Sequence, residues 1–137
     1  MKLPYLAIVA ATVASWIFGA LWYGAFGRTW AVGLGLLPAD TAGAPRGKPP
    51  VFALIASFVA ELVMAAMLAG LLVHLAGEAF GMKPALLSAF FIWLGFVAPT
   101  LATNYAYQRR PWAVWAIDGG HWLGVLLIQA AALALIA

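Results

Sequence analysis

The chain has no cysteine, only four acidic residues and two histidines, and charged side chains make up 8% of its 137 residues. Without thiols there can be no disulfide, thiolate metal site or cysteine nucleophile. So little charge excludes an ordinary soluble domain, in which about a quarter of the residues are charged. The net charge of +3 is modest and scattered through apolar sequence. It suits contact with anionic lipid headgroups rather than nucleic acid. What fills the chain instead is hydrocarbon: 66% of residues are hydrophobic and the mean hydropathy is +1.03.

Four apolar runs are long enough to cross a bilayer of roughly 30 Å at about 1.5 Å per residue. They predict spans over residues 3–26, 51–75, 84–105 and 112–136, joined in one domain covering 1–137. The fold class is therefore an all-α integral membrane protein, a four-helix transmembrane bundle. The first run is longer than the apolar core of a secretory signal and has no small-x-small cleavage pattern, so it is read as a span. The loop over 28–50 is rich in proline and glycine and is expected to be mobile. In the third span, Pro99 lacks an N–H and crowds the carbonyl of Gly95, which predicts a kink.

The second run, VFALIASFVAELVMAAMLAGLLVHL, carries a single carboxylate, Glu61, near its middle. A charge facing lipid roughly 15 Å into the run is costly, and such residues usually face the bundle interior and pair. Partners on its own helix are limited to Ser57, so they must come from other spans. Depth counted inward at about 1.5 Å per residue places Gly19, Glu61, Thr100 and His121 in one layer, with Asp118 and Asn104 about a turn shallower. Asp118 and His121, three residues apart, share a helix face with Gly119 and Gly120 between them. The expectation is that Glu61 reaches His121, Asn104 or Thr100 and that Asp118 closes the cluster. Two carboxylates and an imidazole at low dielectric cannot all be simply charged. On the first span, Ser15 and Gly19 form a small-xxx-small pair that admits a neighbouring helix closely, and Gly95, Pro99, Gly119 and Gly120 are likewise expected at helix-packing positions.

Charge asymmetry sets the expected orientation. Arg28, Arg46, Lys48, Arg109 and Arg110 fall in the first and third loops, against Lys2 and Lys83 on the other side. The positive-inside rule puts those two loops in the cytoplasm and both termini outside. Trp22 and Trp30 then belong to an interfacial belt with Arg28, Arg109 and Arg110.

The segments Phe18-Gly19-Ala20-Leu21-Trp22-Tyr23-Gly24 and Phe26-Gly27-Arg28-Thr29-Trp30 resemble the FxxGxLWY…FGkxW signature of a bacterial membrane-protein family known as domain of unknown function 1761. The runs Asn104 to Arg110 and Ile117-Asp118-Gly119-Gly120-His121 are similar to the same family's third loop and fourth helix, where an aromatic residue more often takes the place of His121. The resemblance implies four spans in a bacterial inner membrane and supplies no activity.

Three functions fit these residues. The first is binding or conduction of a proton, a cation or a small polar solute through the Glu61, Asp118 and His121 layer. Four helices are few to enclose a pathway, so this reading expects a homodimer. The second is a structural or interaction subunit whose polar layer fixes helix packing. The third is a membrane metal-dependent enzyme with Asp118, His121 and Glu61 as ligands, although no HExxH, nucleophile elbow or phosphate loop is present. No cofactor is expected, and no catalytic residue is assigned.

Overall fold

The computed structural model describes residues 3–38 and 48–137. Lys2, Arg46 and the stretch 39–47 of the first loop, for which mobility is expected, lie outside the described residues. Four helices are long and apolar enough to cross a membrane: α1 (Tyr5–Gly33), α2 (Val51–Ala76), α3 (Met82–Tyr107) and α4 (Trp112–Ile136). They form an all-helical bundle and make the chain a multi-pass membrane protein.

Helix α1 runs past the expected end near Phe26 to Gly33. Gly27 does not stop it because a single glycine is tolerated in a helix and this one is buried. The stop comes where Gly35 takes a positive φ of 75°. There Gly35 N–H bonds to the Val32 carbonyl and Leu36 N–H to that of Ala31, the Schellman pattern. Helix α3 ends in the same way, with Arg109 N–H on the Ala106 carbonyl and Arg110 N–H on that of Tyr105. Here the left-handed position is held by Arg109, φ 54°, a conformation that costs a residue with a β-carbon more than it costs glycine. Arg110 then turns back, and its Nη1 donates to the Leu34 carbonyl at 3.1 Å, tying the two chain turns together.

Ahead of Pro99, where a kink is expected, α3 has a π-helical turn over Trp93–Val97. Ala98 N–H bonds to the Trp93 carbonyl five residues back. Such a turn is one way for a helix to absorb the donor that proline lacks.

The bundle is arranged around α4, which touches all three other spans. Its closest partner is α1, and 39% of its most apolar window is buried against 11% for α3. The interior combines alanines and a few polar residues with large side chains such as Leu68, Leu72, Leu126 and Leu133, while much of the remaining bulky hydrocarbon faces out. Ala7, Ala11, Ala65, Ala69, Ala85, Ala89 and Ala130 are buried, whereas Val9, Val13, Ile17 and Leu21 of α1 and Ile55, Val59, Val63 and Met67 of α2 are exposed. This follows from the solvent: lipid tails are as apolar as leucine, so helices associate through close packing of small residues and a few interhelical hydrogen bonds.

Candidate functional site

The α1–α4 seam is built by rings seated over glycines. A β-carbon on Gly124 would stand 2.3 Å from Phe18 Cζ, one on Gly120 2.8 Å from Trp22 Cζ2, and one on Gly19 2.9 Å from His121 Nε2. Helix α1 thus inserts Phe18 and Trp22 into α4, and α4 inserts His121 into α1. The rings also touch one another: Phe18 lies parallel to His121 at 6.1 Å between centroids, and Tyr23 stands 4.9 Å from the imidazole. Two indoles bind carbonyls of α4, Trp22 Nε1 that of Ile117 at 2.9 Å and Trp93 Nε1 that of Gly119 at 2.8 Å.

Inside this frame, Glu61 is only 2% exposed and its Oε1 lies 4.0 Å from His121 Nε2. That is an ion-pair distance but too long for a hydrogen bond. Glu61 Oε2 and His121 Nδ1 are buried and have no hydrogen-bond partner among the described residues. Gln129 sits beside the pair. Its Nε2 donates to the Glu61 backbone carbonyl at 2.9 Å and to Ser15 Oγ at 3.1 Å, joining α4 to α2 and α1. Ser15 in turn donates to the Thr12 carbonyl.

Asp118 does not close the cluster by bonding to either member of the pair. Its two oxygens accept from tyrosine hydroxyls, Oδ1 from Tyr23 on α1 and Oδ2 from Tyr105 on α3. Each carboxylate oxygen is thereby matched to a donor at a buried position. Both tyrosines look from sequence like interfacial aromatics, because a tyrosine near the end of a span is usually anchored at the headgroups.

The third span supplies less than its sequence suggests. Thr100 and Asn104 are exposed on α3 and are not part of the layer. Thr100 satisfies its own hydroxyl on the Phe96 carbonyl one turn back, so it needs no partner from another helix. Gly95, expected at a packing contact beside Pro99, is exposed and has nothing within 4 Å of its β-position. Gly119 also meets nothing there, and what it contributes is its carbonyl. Trp22, expected in the headgroup belt, is instead half-buried against Gly120.

No group of three or more His, Cys, Asp or Glu side chains is placed to hold a metal ion among the described residues. Glu61 and His121 face each other while Asp118 faces the tyrosines, so the three do not converge on a single ligand position. The chemistry open to the arrangement is proton exchange at a buried carboxylate and imidazole, with a separately saturated aspartate nearby.

A family model described as "Protein of unknown function (DUF1761)" matches residues 6–134. No curated protein and no solved structure matches the chain.

Proposed function

The chain belongs to the DUF1761 family, and from that premise we propose that this small multi-pass membrane protein takes up a proton, or a small cation in its place, at the Glu61–His121 pair. The observation that carries the reading is the pair itself: opposite-type ionisable groups from α2 and α4, 4.0 Å apart and each keeping one unused polar atom. Ionisable residues at such depth are expensive, and they usually serve ion or proton traffic. A proton passes between them only when the gap closes by about 1 Å to hydrogen-bond length. Tyr23 is the natural way in, since it contacts the imidazole, holds Asp118 and lines a cavity at its end of the bundle. On the charge asymmetry of the loops, that end is cytoplasmic in a bacterial inner membrane, with both termini outside. A homodimer is the assembly this reading expects.

The test is a pH-gradient assay in proteoliposomes with a lumenal pH dye. Wild-type protein is expected to dissipate the gradient at least about tenfold faster than Glu61→Gln, which preserves shape but removes the exchangeable proton. Equal rates for wild type, Glu61→Gln and empty vesicles would refute the proposal.

A structural reading has its own observation. The Tyr23–Asp118–Tyr105 clamp and the two bonds donated by Gln129 Nε2 link all four helices, and both oxygens of Asp118 are matched to donors. In this view the polar residues set helix register, and Glu61→Gln leaves both fold and growth unchanged.

A further inference from the structure

A cavity of about 600 Å³, whose lining includes neither Glu61 nor His121, lies where α1 ends and α2 begins. Its walls are apolar and aromatic, with Trp30 and Tyr23 from α1, Leu36 and Leu37 from the turn after it, and Ala53 from α2. Among the described residues, Lys48 is the one charged side chain that lines it. The volume falls within the range of small-molecule sites, roughly 300–1,000 Å³.

Position narrows the occupant. Helix α1 has 29 residues and so spans about 44 Å, well beyond a hydrocarbon core of roughly 30 Å. Its last turns and the start of α2 therefore straddle the boundary between acyl chains and headgroups. The described residues give the cavity a hydrocarbon wall and one cation at that boundary. Arg28, Arg109 and Arg110 add positive charge at the same end of the bundle. A solute with an apolar body and an anionic head matches this distribution, and the bilayer supplies one from its own leaflet. We infer that the cavity is a binding site for an anionic phospholipid, with one acyl chain against Trp30, Leu36 and Leu37 and its phosphate on Lys48. The site shares Tyr23 with the proton entry proposed above, but its argument does not rest on that reading, because none of the groups named for the acyl chain or the phosphate belongs to the buried pair.

The experiment uses the full chain in phosphatidylcholine nanodiscs with a small fraction of phosphatidylglycerol brominated in its acyl chains, and reads tryptophan emission. Quenching is expected to saturate and to exceed at least twofold that from the same fraction of brominated phosphatidylcholine. The excess should shrink in Trp30→Phe, vanish in Lys48→Glu and survive in Lys48→Arg. Lys48 is exposed, so these changes leave the helical content seen by circular dichroism intact. Equal quenching by the two lipids, the result expected if bulk bilayer or residues 39–47 of the same chain cover the cavity, overturns the inference. So does a phosphatidylglycerol preference that Lys48→Glu does not alter.

Discussion

Gly124→Leu is expected to destabilise the detergent-solubilised protein by about 3 kcal/mol, the upper end of what overpacking usually costs. The β-carbon alone would lie 2.3 Å from Phe18 Cζ and 2.4 Å from Cε1. Phe18 has little room to yield, because Trp22 stands 5.6 Å away on one side and the His121 ring is stacked on another. Removing the ring should cure the clash, so Phe18→Ala in the Gly124→Leu background is expected to recover most of the loss. Thermal or denaturant unfolding followed by circular dichroism reads both effects. A Gly124→Leu protein that unfolds with the wild-type midpoint would show that the seam is not packed as described.

Asp118→Ala is expected to cost about 2–4 kcal/mol, since it strands two partly buried tyrosine hydroxyls at once and each unsatisfied group costs about 1–3 kcal/mol. The bonds are interhelical, Tyr23 coming from α1 and Tyr105 from α3. Asp118→Asn should be much milder, because the amide still accepts from one hydroxyl and donates to the oxygen of the other. In the Tyr23→Phe, Tyr105→Phe background, where no hydroxyl remains to be stranded, Asp118→Ala should lose most of its effect. A cycle in which the aspartate and tyrosine substitutions simply add would mean that the three do not act together.

Much of the architecture was legible in the residues. Apolar runs mark four spans whatever their packing, because hydrocarbon admits only helices and closed barrels. The proximity of Glu61 to His121 follows from counting depth along two spans and from the cost of leaving either facing lipid. The count gave depth but not rotation, and there the sequence misled on α3. Thr100 can bond its own helix, and Asn104 lies within a turn of the helix end, so neither was compelled to turn inward. Asp118 keeps different company from that expected for a related reason: tyrosines near span ends serve equally as membrane anchors and as carboxylate partners, and nothing in their sequence position separates the two. Glycine spacing announced close approach on α1 but not that Phe18 and Trp22 would reciprocate on α4. The extent of α1 was hidden because Gly27 resembles a stop and is instead a packed position.

The reciprocal seating of rings across α1 and α4 also decides how the molecule can move. Sliding either helix along the other would extract Phe18, Trp22 and His121 from their glycine seats together, so the two behave as a stator. The second half of α3 has no buried residue and is the natural moving part. Amide exchange faster over Ala98–Tyr107 than over the middle of α1 and α4 would display that division, and uniform exchange would deny it. Outward travel of α3 would first pull the Tyr105 hydroxyl from Asp118, leaving one carboxylate oxygen vacant three residues from the imidazole. The clamp on Asp118 is in that sense a latch, and its release would change the charge surroundings of His121 without moving the helix that carries it.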